Sequence, residues 1–293
     1  MSVAAPAAAA ATVGSVLAAA QGRLASSPSA ALDAEVLLAH LLGTSRGALR
    51  ALSRDPLPVA ALAAYDALVT RRAAGEPVAY IVGYRDFWSL RLTVTPDVLV
   101  PRPETELLVE WGIALLSPRP KPGPRVMDLG TGSGAIALAV AVELRDASIV
   151  ATDISSAALA VARGNASSLG VTHVSFLQGN GFEALEPGLR PDEGRFDLIL
   201  SNPPYIAEGD PHLSDLAFEP AIALTSGPDG LRELRAVVGG ARAHLATGGW
   251  LLVEHGHDQG AAVRALFAQA GFEAIETRRD LAGHERATGG RAP

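Results

Sequence analysis

The chain has 293 residues, a formal net charge of −7 and no cysteine. That length accommodates one large domain and a smaller one with ample core, while the absence of cysteine excludes disulfides and thiolate metal sites. An acidic chain without a basic stripe disfavours duplex nucleic acid as the principal partner, and Lys121, the only lysine, leaves Schiff-base and P-loop lysine chemistry almost no residue to use.

The alanine-rich start, residues 3–20, lacks a basic leader and is interrupted by Pro6 and Gly14, so it reads as a tail running into a helix of a cytoplasmic protein. No stretch is long and apolar enough to span a membrane. From about residue 12 to 75 the periodicity is helical. Ala34, Leu37, Leu38 and Leu41 share one face, with Asp33, Glu35 and His40 off it, and Leu32 and Val36 lie opposite. Gly43 ends that helix. A further helix is expected over residues 60–72, with Arg71-Arg72 as its solvated basic end. The picture is a small helical domain over residues 1–76.

Residues 77–102 read as a β-hairpin connector, because Leu90, Leu92 and Val94 alternate with Arg91 and Thr93; Phe87-Trp88 is expected to pack at the joint. Pro103 and Glu104 suit the first turn of a helix that buries Leu107, Leu108, Trp111 and Leu115. After a proline-rich break at 117–124, strands at 125–129, 148–153, 173–178, 196–201, 250–255 and 272–277 alternate with helices. One of these helices starts at Ser155 as N-cap and stops at Gly170. This alternation predicts an α/β fold, a doubly wound mostly parallel sheet, over residues 103–293.

Two stretches carry chemistry. Asp128-Leu129-Gly130-Thr131-Gly132-Ser133-Gly134 joins the first strand of the sheet to its helix, with glycines that let backbone approach a ligand closely. Asp153 ends the next strand, where a carboxylate can hold a ribose diol. Gly130-x-Gly132-x-x-Ala135 also fits the dinucleotide fingerprint of NAD enzymes. The second stretch is Ser201-Asn202-Pro203-Pro204-Tyr205, which leaves the sheet at its carboxyl edge. Two prolines cannot extend the strand, and Pro203 holds Asn202 extended. A side-chain amide beside free carbonyls offers acceptors for both hydrogens of a planar NH2 group; the plain alternative is a strand-ending turn. An acid at 128 and this turn at the same edge favour a cationic sulfonium cofactor, S-adenosylmethionine, over NAD.

Histidines at 255 and 257 follow the fifth of these strands and can be read as proton acceptors or as structural residues. His284-Glu285 lacks the second histidine of a zinc-protease helix, and no G-x-S-x-G elbow occurs. No metal site is expected.

Gly75-Glu76-Pro77-Val78-Ala79-Tyr80-Ile81, Pro101-Arg102-Pro103-Glu104-Thr105-Glu106, the glycine loop, Asn202-Pro203-Pro204-Tyr205-Ile206 and Glu254-His255-Gly256 together resemble the bacterial peptide-chain release factor glutamine methyltransferases, in the family's order and spacing over residues 32–286. The resemblance implies a Rossmann-like class I methyltransferase domain and methylation of the glutamine in the Gly-Gly-Gln motif of class 1 release factors at the side-chain nitrogen. It implies that the N-terminal helical domain helps grip the release factor. It names Thr105, Asp128, Gly130, Thr131, Gly132, Ser133, Gly134, Asp153, Ile154, Asn180, Gly181 and Asn202 as cofactor residues, and Asn202, Pro203, Pro204 and Tyr205 as catalytic ones. No membrane and no direct nucleic-acid target are implied. Two departures stand out: Asn180-Gly181 replaces an acid and a large residue near the adenine, and the loop after Leu213 is about two residues short, with Ala217 where an arginine is common. A ribosomal-protein glutamine methyltransferase, an adenine-N6 DNA methyltransferase and an inactive cofactor-binding module are the rival readings.

Overall fold

The computed structural model describes residues 11–117, 123–185 and 195–293; residues 3–10, Lys121 and most of the proline-rich break lie outside these. The chain divides into two compact units, residues 1–83 and 84–293.

The first unit is helical: Val13–Arg23 (α1), Ala30–Leu41 (α2), Arg46–Ala51 (α3), Val59–Ala73 (α4) and Val78–Val82 (α5). Thr12 and Ser15 form a reciprocal capping box at the start of α1. Ala34, Leu37 and Leu38 of α2 are buried, and the Tyr65 hydroxyl of α4 donates to the Ala34 carbonyl at 2.9 Å. Burial and that bond lock α2 to α4. Asp33 departs from the expected polar face. It is 6% exposed and accepts from Ser27, Ser29 and, at 2.7 Å, Arg72 Nε. Arg72 is therefore an internal ion-pair partner rather than a solvated helix end, while Arg71 pairs with Glu76 nearer the surface. Leu32 is 43% exposed, so the far side of α2 is not packed there.

The hairpin is shorter than the alternation suggests. Residues 78–82 form α5, begun after Pro77 and ended by Gly83 at φ +82°, because a short apolar run has no period that distinguishes strand from helix. Only Tyr84–Phe87 (β1) and Leu90–Thr93 (β2) pair, antiparallel, with Phe87, Leu90 and Leu92 buried. Trp88 sits at the turn with φ +55°, its N–H donating to Glu106 and its indole to Glu143, each at 2.7 Å.

A 3₁₀ turn, Pro103–Thr105, leads into Glu106–Leu116 (α6), where Leu108, Val109, Trp111 and Leu116 are fully buried and Leu107 and Leu115 only partly. The sheet follows: Arg125–Leu129 (β3), Ser148–Asp153 (β4), Val174–Gln178 (β5), Phe196–Ser201 (β6), Leu245–Glu254 (β7), Glu273–Arg279 (β8) and Glu285–Arg291 (β9). Helices Ala135–Glu143 (α7), Ser156–Ser168 (α8), Arg232–His244 (α9) and Gly260–Gln269 (α10) complete the doubly wound α/β fold. The strand order is β5-β4-β3-β6-β7-β9-β8. All pairs from β5 to β7 are parallel, and β9 runs antiparallel between β7 and β8. Chain order reverses between β3 and β6, so the carboxyl ends of these two strands frame the crevice where such sheets bind ligands. α8 begins with the Ser155 hydroxyl accepting from Ala158 N–H and is followed by Gly170 at φ +67°.

The strand β9 is missing from the sequence reading. Its glycines look like a loop, but a Cβ at Gly289 would lie 2.4 Å from a Leu252 methyl and 2.7 Å from the Trp111 ring, and one at Gly290 would lie 2.6 Å from Phe267. Both are places where a strand presses directly on core side chains.

Candidate active site

Asp128, next to last in β3, is fully buried. Its Oδ2 accepts from the Thr131 hydroxyl at 2.7 Å and from Ala137 N–H at 3.1 Å, so one oxygen holds both the glycine loop and the start of α7. Oδ1 is buried and has no hydrogen-bond partner among the described residues. Burial pushes this carboxyl up to about 7, against the two hydrogen bonds that lower it. An orphaned acid oxygen of this kind fits a cationic ligand group, which would supply the missing partner and favour the charged form.

The loop itself is spent on the chain. Gly130 and Thr131 N–H both donate to the Thr152 carbonyl at 2.9 Å, Gly132 N–H to Asp153 Oδ2 at 2.9 Å, and Gly134 N–H to the Thr131 carbonyl at 2.8 Å. Four amides are thus unavailable to a pyrophosphate, which weighs against a dinucleotide. Gly130 and Gly132 hold φ of +72° and +54°, and a Cβ at either would meet nothing within 4 Å. The open space above them is room for the aliphatic part of a ligand. Asp153 ends β4 half-buried, with Oδ1 taking Ser155 N–H at 2.9 Å; each of its oxygens keeps acceptor capacity for a ribose hydroxyl.

Ser133 is buried, and its carbonyl takes a hydrogen bond from Asn165 of α8, which also brackets Thr93 of the hairpin through both backbone groups. Asn165 gave no signal in the sequence because its work is entirely tertiary. At the positions expected to face an adenine, Ile154 is 49% exposed and Asn180 is exposed, with no cap bond from its side chain. Gly181 adopts φ +57°. The ring of the next residue, Phe182, is engaged with α9, stacked on His244 with centroids 4.5 Å apart.

Asn202 leaves β6 half-buried, above the Ser201 hydroxyl that ties β6 to the Leu129 carbonyl at 2.9 Å. Its Nδ2 donates to Thr105 Oγ1 at 3.1 Å, and Thr105 donates in turn to Glu254 Oε2 at 2.6 Å. Neither Asn202 Oδ1 nor the Pro203 carbonyl accepts a bond from the described residues. Pro203 is buried and Pro204 half-buried. Tyr205 has its hydroxyl committed to Glu254 Oε1 at 3.1 Å, with burial raising its pKa further beyond the usual phenol range. It is not available as a base.

Sequence reasoning missed two supports of this turn and one of the neighbouring loop. Gln259 Nε2 donates to the Tyr205 carbonyl at 2.9 Å, and its Oε1 accepts Gly256 N–H at 2.9 Å. Gly230, at φ +70°, passes so close that a Cβ would lie 2.3 Å from the Tyr205 oxygen. Glu219, in the loop expected to be short, is buried and accepts from Val100 N–H at 3.0 Å and from Arg102, fastening that loop to the linker, with Ala217 exposed beside it. His255 is structural. Its Nδ1 donates to the Gly256 carbonyl and its Nε2 meets Thr288 Oγ1, both at 2.8 Å, and burial lowers its pKa. His257 is exposed, edge-on to His284.

Comparison with known proteins places this geometry. Residues 15–83 match the model of the PrmC N-terminal domain and residues 120–275 that of a methyltransferase domain. A release factor glutamine methyltransferase of Burkholderia pseudomallei is 51% identical over 281 residues, covering 92% of this chain and 95% of that one. This chain belongs to the release factor glutamine methyltransferase family. Another member, from Xylella fastidiosa, is 50% identical over 264 residues, covering 89% of this chain and 93% of its own. Among solved structures, the 16S rRNA N2 G1207 methyltransferase of T. thermophilus superposes with a TM-score of 0.51 at 22% identity, over 72% of this chain and 50% of that one, a likeness of fold. The family's members are enzymes, and the larger unit is a methyltransferase domain of class I-like fold. Among the described residues no helix is long and apolar enough to cross a membrane.

Proposed function

We propose that this enzyme transfers a methyl group from S-adenosylmethionine to the side-chain amide nitrogen of the glutamine in the Gly-Gly-Gln motif of class 1 peptide-chain release factors. The observation that carries the reading is the pair of unclaimed acceptors, Asn202 Oδ1 and the Pro203 carbonyl, at the sheet edge beside the glycine loop. Two acceptors on one rigid turn match the two N–H donors of a primary amide. Adenine carries the same group, and the choice of glutamine rests on the relatives named above, which match nearly the whole chain.

When bound, S-adenosylmethionine supplies a methyl group on a positively charged sulfur. Asp128 Oδ1, the open face of Gly130 and Gly132, and Asp153 hold it in this reading, with Thr131 and Ser133 shaping the loop and Ile154, Asn180 and Gly181 around it. An amide nitrogen is a poor nucleophile, because its lone pair is delocalised into the carbonyl. Accepting both N–H groups lets Asn202 and Pro203 favour pyramidal nitrogen and hold its lone pair toward the methyl group. Catalysis is then positioning and electrostatics, and a strong base is unnecessary because the nitrogen sheds a proton only as the new bond forms. Pro204 and Tyr205 keep the turn rigid. The helical domain, residues 1–76 with the 77–102 connector, contributes to gripping the release factor, and the protein works in the cytoplasm.

The test is a mass spectrum of a release factor after incubation with the enzyme and S-adenosylmethionine, digested to isolate the Gly-Gly-Gln peptide. One added methyl on the glutamine is the expected result. A methyl found instead on a ribosomal-protein glutamine or on duplex DNA, with none on the release factor, overturns the assignment.

A further inference from the structure

The three buried or half-buried groups Asn202, Thr105 and Glu254 form a chain whose direction is set by proton counting. Thr105 has one hydroxyl proton. Its oxygen lies 2.6 Å from Glu254 Oε2 and 3.1 Å from Asn202 Nδ2, and Thr105 and Glu254 are 4% and 1% exposed, out of reach of competing water. An ionised carboxylate can only accept, so with Glu254 ionised the Thr105 proton goes to Glu254. The threonine oxygen is then left only to accept, and the group of Asn202 that faces it must be the NH2 end.

We infer that Thr105 and Glu254 are positioning residues of the methyl transfer, fixing the Asn202 amide with its nitrogen on Thr105 and its oxygen toward the target nitrogen. The inference rests on the proposed role of Asn202 as an acceptor for the substrate amide. An unbraced amide can turn by half a rotation and present two donors where acceptors are required, a repulsive contact with the substrate NH2. The carboxylate itself is held from the other side, since its second oxygen accepts the Tyr205 hydroxyl at 3.1 Å. Thus Tyr205 serves the same chain from the same turn.

The charge state of Glu254 decides whether the chain keeps its direction. A protonated Glu254 can donate to Thr105, which frees the threonine proton for Asn202 Oδ1 and reverses the amide. Burial pushes Glu254 upward, the Thr105 and Tyr205 hydrogen bonds and the nearby Arg286 of β9 oppose that, and Glu104 adds a weaker upward push. Acid is therefore expected to reduce turnover through this group.

The experiment compares Thr105→Val, Thr105→Ser, Glu254→Gln and Asn202→Ala in the full-length enzyme, reading kcat on a release factor and, separately, the Kd of S-adenosylmethionine by calorimetry. Thr105→Val keeps the shape and loses the hydroxyl; it should lower kcat about 10–100-fold, the usual consequence of unmaking one buried hydrogen bond to a charge-linked group, with Kd within about threefold. Thr105→Ser should restore kcat to within about threefold of the parent. At saturating cofactor, Glu254→Gln should lose the acid limb of the kcat–pH profile, because glutamine cannot take up that proton. This readout also decides the matter if Thr105→Val fails to fold. The inference fails if Thr105→Val turns over normally, if the serine variant is as impaired as the valine one, if Kd rises in step with the loss of kcat, or if Glu254→Gln keeps the acid limb. Asn202→Ala separates the two levels: an active Asn202→Ala overturns the proposed role of Asn202 itself, whereas an inactive one beside a fully active Thr105→Val overturns only the positioning chain.

Discussion

Gln259 Nε2 lies 2.9 Å from the Tyr205 carbonyl, 54 positions earlier in the chain. The loop after β7 thereby closes the end of the turn that leaves β6, and Gln259 turns its other amide atom to Gly256 N–H. Replacing Gln259 with Ala strands both backbone groups. It should cost about 1–3 kcal/mol of stability and lower kcat more than cofactor affinity, which chemical denaturation and calorimetry will check.

Gly230 braces the same carbonyl by close approach rather than by a bond. With φ +70° and a Cβ that would meet the Tyr205 oxygen at 2.3 Å, Gly230→Ala forces either the turn or residue 230 to move. The expected outcome is a folded protein, with S-adenosylmethionine binding kept and methyl transfer lost by at least about tenfold, since small displacements of a reacting group are costly. Wild-type turnover in that variant would show that the turn tolerates displacement.

Asp128 makes cofactor binding pH-dependent. Its carboxyl stands at about 7 in the cofactor-free protein, against an ordinary value of 3.8. The sign follows: a raised acid keeps its proton in the folded state, so stability without ligand declines as pH rises from about 4 to about 7. A cationic ligand favours the ionised form. Binding therefore releases up to one proton, and affinity should fall by up to about tenfold per pH unit below about 7. Calorimetry in buffers of different ionisation enthalpy measures that proton, and Asp128→Asn should abolish its release.

In the helical unit, Arg72 and Asp33 form an internal pair with side chains 19% and 8% exposed. Removing the arginine leaves the carboxylate, among the described residues, with only Ser27 and Ser29 as side-chain donors. Arg72→Ala should destabilise by about 1–3 kcal/mol, discounted from the fully buried case for the remaining exposure, and Arg71→Ala by much less. Thermal melts of the two variants check the difference.

What the sequence revealed and concealed divides along physical lines. Apolar runs closed by Asp128, Asp153 and Ser201 announced parallel strands, because burial on both faces and a turn at the carboxyl edge leave local marks. The glycine spacing and the Asn202-Pro203-Pro204 turn were likewise legible, since each is a backbone constraint written in consecutive residues. The strand β9 was not, because Gly289 and Gly290 are dictated by Trp111 and Phe267, which lie far away in the chain. Asp33 and Arg72 read as polar surface for the same reason: each is buried only because the other is there. Glu219, Asn165 and Gln259 act through long-range hydrogen bonds that no spacing rule detects. The helix at 78–82 was hidden in an apolar run too short to show a period.

In the proposed reaction Asn202 acts on the target amide and not on the cofactor. The most direct measurement is Asn202→Ala, with kcat on the release factor and the S-adenosylmethionine Kd determined on the same preparation. The expected kcat is lower by about 10²–10³-fold, the range for losing one preorganised polar contact at a reacting group, with Kd changed by less than about threefold. Retained turnover, or a Kd that worsens in proportion to kcat, would contradict it.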